Sequence, residues 1–312
     1  MSRAVITGAT GAIGTALVHE LIQNDIDVVV ICRKNSNRRD RIPQNEKVTV
    51  IEKDLSELLS IELTDVGEKQ CDYFFHLAWQ GTTGTARNDM YLQNENVRYT
   101  LDAIQLAKRL GCHLFVGAGS QAEYGRIEGR MSESTPAFPE NGYGIAKLCA
   151  GQMGKEMAHQ CGMRYIWVRI CSVYGPNDGL QSMVISGIIK MLAGERASYT
   201  KGDQLWDYLY SKDAAKALAL LAENECDGVF CLAGGDSRPL KEYIYQIRNQ
   251  IDPRLVLGIG DIPYSEKQVM NLQVDISKIR DETGFEPMYS FEEGIKETVE
   301  WVESNALAIR KS

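Results

Sequence analysis

The chain has 312 residues, a net charge of −8, and 44% hydrophobic and 24% charged residues, the proportions of a soluble globular enzyme with ample core. The acidic balance argues against nucleic acid as the main partner, and no apolar run approaches the ~20 residues of a membrane span. Eight cysteines without a C-x-x-C pair read as buried, reduced thiols of a cytoplasmic protein, and the four scattered histidines offer no metal-ligand cluster.

The N-terminus reads straight into a strand, with no signal peptide. Arg3 to Thr7 is a short apolar run. It feeds Gly8-Ala9-Thr10-Gly11-Ala12-Ile13-Gly14, and a helical pattern follows through Leu17, Val18, Leu21 and Ile22. A strand, a glycine turn and a helix N-terminus make a phosphate cradle. The glycines let backbone N–H groups approach a pyrophosphate, and the helix dipole favours its charge.

The second strand, Asp27 to Cys32, ends where NAD-selective proteins carry an acid for the ribose 2′-hydroxyl. Here Cys32 is followed by Arg33 and Lys34. Arg33 suits a 2′-phosphate, which predicts a preference for NADP(H), with NAD(H) as the alternative. Arg38, Arg39 and Arg41 read as a solvated basic loop. Val48 to Ile51 is the third strand, ending at Asp54-Leu55, and Cys71 to Leu77 is the fourth, followed by Ala78 and Trp79. A long helix is expected from about 89 to 110, and His113 to Val116 is the fifth strand. Short apolar strands alternating with helices spell a parallel sheet covered on both faces.

Gly117-Ala118-Gly119-Ser120-Gln121 follows. A serine just past the carboxyl end of a parallel strand lies at the edge where such sheets bind ligands. Tyr143 comes 23 residues later and opens a helix that also carries Lys147. Four residues apart on a helix, the two share one face, and an ammonium beside a phenol lowers its pKa from about 10 towards neutrality. Such a tyrosine can exchange a proton with a substrate oxygen. A second Tyr-x-x-x-Lys occurs at Tyr208 and Lys212. It sits in a strand-like run, Trp206 to Tyr210, ahead of a fresh helix capped by Ser211 or Asp213, and reads as coincidence.

Tyr165 to Ile170 is the sixth strand, running into Cys171-Ser172-Val173-Tyr174-Gly175-Pro176. Beyond it the strict alternation ends. Helices are expected at 180–193, 214–223, 240–249 and 291–303, with a strand at 229–232.

The motifs TGATGAIG at the start, DL at 54, HLA at 76, NVRYT at 96, GSQAEYG at 119, YGIAK at 143, VYGP at 173 and the tail ending at Trp301 span nearly the whole chain. Together they resemble the extended short-chain dehydrogenase/reductases that act on nucleotide sugars. The resemblance implies an α/β fold: a Rossmann-type, doubly wound parallel sheet with a smaller C-terminal substrate-binding lobe. The dinucleotide-binding domain would be residues 1–171, with a return at about 209–233, and the lobe 172–208 and 234–312. It implies that Ser120 polarises the reacting oxygen, that Tyr143 is the acid/base, and that Lys147 holds the cofactor ribose. Cofactor contacts are implied for Gly8, Thr10, Gly11, Ala12, Ile13, Gly14, Arg33, Asp54, Leu55, Leu77, Ala78, Trp79, Asn96, Tyr143, Lys147, Ile170, Ser172 and Val173. Substrate contacts are implied for Ser120, Gln121, Tyr143, Ser172 and Trp206.

Three departures from the family's pattern bear on the reaction. The Asp-Glu pair that dehydratases carry after the Ser/Thr is Gln121-Ala122, against 4,6-dehydration. The asparagine before VYGP is Ser172. The arginine that clamps a nucleotide diphosphate is Trp206. The expected function is an NADP-dependent reduction of a keto group, at C4, of a nucleotide-linked deoxysugar, with a nucleotide-sugar 4-epimerase as the alternative and a non-catalytic NADP-binding protein as a third reading. Family resemblance also implies a homodimer through the two long helices.

Overall fold

A computed structural model describes residues 2–306. Seven strands form one sheet: β1 Arg3–Thr7, β2 Asp27–Cys32, β3 Val48–Glu52, β4 Tyr73–His76, β5 Leu114–Ser120, β6 Arg164–Ile170 and β7 Gly228–Leu232. Their order is β3-β2-β1-β4-β5-β6-β7, and every pairing is parallel. The eight helices described are α1 Ala12–Gln23, α2 Met90–Arg109, α3 Gly142–Gln160, α4 Met183–Leu192, α5 Ser211–Glu223, α6 Leu240–Ile251, α7 Ser277–Thr283 and α8 Phe291–Ser304.

The central strands are apolar at nearly every position because both faces of the sheet are covered. Side chains alternate between those faces. On β5, Leu114 and Val116 join the core beneath α1 and α5, while Phe115 joins the core beneath α2 and α3. A third core, built from α4, α6 and α8 around Tyr174, Tyr210 and Phe291, belongs to the C-terminal part of the chain.

Strand order reverses between β1 and β4. At such a switch point the two neighbouring crossovers leave on opposite faces and open a crevice at the strands' carboxyl ends. Gly8 stands there at φ +82°, where a Cβ would lie 2.6 Å from the Ala78 nitrogen, so only glycine lets the two strand ends meet this closely. The same ends are tied by Leu77 N–H to the Thr7 carbonyl at 3.1 Å and by Thr7 Oγ1 to His76 Nδ1 at 2.9 Å.

Three elements differ from the sequence expectation. β5 runs on to Ser120 instead of ending at Val116, and its ladder with β6 continues to the pair Ser120–Ile170. Gly117 and Gly119 resemble loop residues but sit in the strand because the Trp167 indole packs where their Cβ atoms would be. The Trp206–Tyr210 run is two short strands, Leu205–Trp206 against Arg238–Pro239 and Leu209–Tyr210 against Val173–Tyr174. Between them the buried Asp207 turns the chain by accepting the N–H groups of Gly234 and Gly235 at 2.7 and 2.9 Å. Neither Ser211 nor Asp213 caps α5. Ser211 is its first residue, and the Asp213 carboxylate accepts from Met288 and Tyr289 N–H.

Candidate active site

Ser120, Tyr143 and Lys147 come together beside the crevice. Ser120 ends β5, while Tyr143 and Lys147 lie in the first two turns of α3. Asn141 starts that helix, its side chain accepting from Gly144 N–H at 2.9 Å, as an N-cap should. All three residues are buried, Lys147 to 3% exposure.

The hydroxyl of Ser120 accepts from Ala122 N–H at 3.1 Å, which leaves its own O–H free to donate. It lies close enough to the Tyr143 phenol to oppose the rise that burial imposes on that group. Lys147 Nζ donates to the Ala118 carbonyl at 2.5 Å and stands 3.7 Å from the centroid of the Trp79 ring. It is 5.8 Å from the Tyr143 ring centroid, and the charge that offsets burial at Tyr143 comes from Arg87, 4.3 Å over its ring. The expectation of a phenol pulled down by Lys147 is therefore corrected: burial holds Tyr143 above its ordinary pKa in this structure. Burial also pulls Lys147 down to about 7 and His76, beside it, to about 3, so the imidazole is neutral.

The glycine loop fits a dinucleotide. At Gly14 a Cβ would collide with the Gly8 carbonyl and the Ala9 backbone, so this glycine packs helix against turn. At Gly11 the nearest atom would be 3.9 Å away; the protein leaves that side open, next to the N-terminal amides of Ala12 and Ile13 on α1. Thr10 lies in the loop, its carbonyl taken by the Arg41 guanidinium at 3.1 Å. The same Arg41 nitrogen reaches the Asn177 carbonyl at 3.2 Å. Arg41 is thus a half-buried brace of the loop, contrary to its reading as a solvated residue. Arg39 pairs with Glu52 and Lys34 with Glu57. Arg33 is exposed and enters no ion pair among the described residues.

The other sequence candidates lie at or beyond the carboxyl ends of the sheet strands, apart from Asn96 on α2 and Trp206 on its short ribbon. Leu77, Ala78 and Trp79 follow β4, with the Trp79 Nε1–H donated to Gln93 at 2.9 Å. Asn96 spends its amide on the loop carrying them, accepting from Gln80 N–H at 2.9 Å and donating to the Gln80 and Leu92 carbonyls. Asp54 precedes a short helical turn whose Glu57 accepts the Asp54 N–H at 3.0 Å, and Leu55 packs on the core beneath α2 and α3. Ile170 ends β6, Val173 pairs with Leu209, and Gln121 opens a turn after Ser120. Ser172 accepts the Trp206 indole N–H at 2.9 Å.

Arg238 is Trp206's cross-strand neighbour, so the two side chains share one face of that ribbon. Its guanidinium lies 4.3 Å over the Tyr243 ring, its Nε is buried without a partner, and it pairs with no carboxylate among the described residues. Sequence reasoning missed Arg87, Arg238 and the function of Arg41; none has a local motif. The second Tyr-x-x-x-Lys comes apart: Tyr208 packs among Tyr174, Tyr243 and Phe291, while Lys212 pairs with Glu297 at 2.6 Å.

Among the described residues no helix is long and apolar enough to cross a membrane, and no group of His, Cys, Asp and Glu could hold a metal.

A family model described as the NAD dependent epimerase/dehydratase family matches residues 4–232. Among solved structures, a UDP-N-acetylglucosamine 4-epimerase from Methanobrevibacter ruminantium M1, in complex with UDP-N-acetylmuramic acid, superposes with a TM-score of 0.87 at 27% identity over 97% of this chain and 98% of that one. A UDP-glucose 4-epimerase of Thermotoga maritima, solved with UDP-glucose, gives 0.84 at 25% identity over 98% and 100%. UDP-glucuronic acid decarboxylase 1 of Arabidopsis thaliana is 25% identical over 95% of this chain and 69% of its own length.

Proposed function

The chain belongs to the NAD dependent epimerase/dehydratase family, and from that premise we propose that it is a nucleotide-sugar 4-epimerase. The observation that carries the reading is the assembly of Ser120, Tyr143 and Lys147 at the carboxyl edge of the sheet, in a fold that matches two nucleotide-sugar 4-epimerases over nearly its full length. The bound nicotinamide would supply a hydride acceptor and donor. The chain supplies the rest. Tyr143, in the phenolate form that the Ser120 hydrogen bond and the Arg87 charge favour against burial, takes the proton of the C4 hydroxyl as that carbon is oxidised, and returns it on reduction. Ser120 donates a hydrogen bond to the same oxygen, where charge changes most in the transition state. Lys147 would hold the ribose, and Arg87, 4.3 Å over the Tyr143 ring, supplies the positive charge there. Gln121 and Ala122 give no carboxylate for eliminating water.

Gly8, Gly11, Gly14 and the α1 amides would hold the pyrophosphate. Arg238 is our candidate for the substrate diphosphate, because it is a cation without a carboxylate partner beside Trp206 and Ser172. Residues 1–171 with 209–233 act as the dinucleotide domain and the remainder as the substrate lobe. A dimer through α2 and α3 is consistent with Tyr91 at 88%, Met90 at 57% and Ile145 at 51% exposure there; light scattering reporting a monomer would exclude it. Eight free thiols suit a cytoplasmic setting.

A second reading rests on Arg33. An unpaired cation at the end of β2 favours a 2′-phosphate, and so an NADPH-linked reduction of a 4-keto sugar. Mass spectrometry of the cofactor released from purified protein separates the two. Tightly held NAD(H) supports the epimerase; an empty protein that binds NADPH overturns it in favour of the reductase.

A further inference from the structure

The reaction just described makes no use of Glu123, although its carboxylate is fully buried behind Ser120. Oε1 accepts the Ser120 backbone N–H at 2.8 Å and the Trp167 indole N–H at 3.0 Å, and Oε2 accepts the Arg169 Nε–H at 2.8 Å. A buried ion pair is a poor device for stability, since apolar residues of like volume usually serve as well. Yet three glycines make room for the Trp167 indole that Glu123 holds, and one of them also borders the carboxylate. A Cβ on Gly117 or Gly119 of β5 would stand 2.5 Å from the Trp167 indole, and one on Gly151 of α3 would stand 2.7 Å from it. The Gly119 Cβ would also stand 2.6 Å from Glu123 Oε1.

Two consequences fall on the site. Glu123 fixes the backbone of Ser120 at the point where its hydroxyl must be aimed. Trp167 also lies near Lys147, whose Nζ is 5.9 Å from the indole ring centroid. We propose that Glu123 is a positioning residue of the active site: it locks the Ser120 backbone and supplies, across Trp167, the negative charge that favours the cationic form of Lys147. The proposal rests on the reading of Ser120, Tyr143 and Lys147 as the reacting set.

The electrostatics agree. Burial lowers Lys147, and Glu123 is the charge that opposes the fall. The other titratable groups that feel Glu123 are Arg169, Tyr143, Tyr165, Cys171 and Cys231. Burial pushes all the tyrosines and cysteines among them upward, so near neutrality only Arg169 and Lys147 carry charge opposite Glu123.

The test compares Glu123→Gln with Glu123→Gln/Arg169→Gln. The single variant leaves Arg169 an unpaired buried cation and should melt early; the double variant removes that cation and should regain most of the melting temperature. Two further readouts are taken. One is the NMR titration of the Lys147 ε-carbon without substrate, assigned with Lys147→Arg. The other is turnover of a nucleotide sugar. Expected are a lower Lys147 titration midpoint in both variants and a kcat that stays about tenfold down in the double variant, as for about one unit of pKa, with KM unchanged. If either the midpoint or kcat returns to the wild-type value once stability has recovered, the proposal is overturned. If the wild-type chain epimerises nothing, the proposed function fails, and the substrate-free titration still decides this one.

Discussion

Lys147→Met should make the protein more stable at neutral pH while destroying its activity, and the gain should depend on pH in a defined way. The ammonium is 3% exposed, and burial brings its pKa from the ordinary 10.5 to about 7. Below about 7, folded and unfolded chains both bind the proton, and the native state bears the full cost of the buried charge. Between there and 10.5 the native amine is neutral while the unfolded chain still binds the proton, so wild-type stability rises with pH by about 1.4 kcal/mol per unit from this group. Methionine keeps an unbranched side chain of similar length and removes the charge. It also leaves the Ala118 carbonyl without its donor, at about 1–3 kcal/mol whatever the pH. The variant's advantage over wild type should therefore shrink by about 2–3 kcal/mol between about pH 7 and about pH 9. Urea unfolding of both proteins, followed by tryptophan fluorescence across that range, measures the difference, and groups that titrate equally in both cancel. A stability difference that stays constant with pH would refute the claim that Lys147 is a strained, titrating cation.

Tyr143→Phe keeps the ring against Trp79 and Arg87, so the fold should survive, while kcat falls by a factor on the order of 10²–10⁴ in steady-state assays. Lys212→Ala, at the second Tyr-x-x-x-Lys, removes an exposed pair with Glu297 and cation–π contacts to Tyr210 and Tyr289, and should leave turnover within about twofold of wild type. Arg33→Ala should weaken NADPH binding by about tenfold or more and leave NADH nearly unchanged in fluorescence titrations; equal losses would remove Arg33 from the 2′-phosphate. Arg238→Ala should raise KM for a nucleotide sugar by about tenfold or more with little change in kcat, and an unchanged KM would remove it from the diphosphate.

The sheet, the glycine loop and the Ser120–Tyr143–Lys147 set were legible because each is local. Apolar runs mark the strands, the glycine run marks the phosphate turn, and four-residue spacing marks the shared helix face. The end of β5 was misread because glycine signals a turn in a sequence, whereas Gly117 and Gly119 are glycine to admit an indole from β6. Glu123 was illegible for the same kind of reason: its partner Arg169 is 46 residues away, and nothing in either segment announces the other. Arg41 looked solvated because a basic loop usually is, and only the fold brings it to the Thr10 and Asn177 carbonyls. The Tyr143 phenol was expected to fall because spacing reveals a neighbouring lysine; it does not reveal burial, or that Lys147 is engaged by Ala118 and Trp79.

The epimerase reading meets its most direct test in proton NMR of the purified protein with a panel of UDP- and dTDP-linked hexoses and no added cofactor. The account predicts that at least one sugar converts to an equilibrium mixture with its C4 epimer, at substrate turnover far beyond the amount of protein, and that Tyr143→Phe abolishes the conversion. No interconversion of any member, together with NADPH consumed in proportion to a supplied 4-keto sugar, would contradict it.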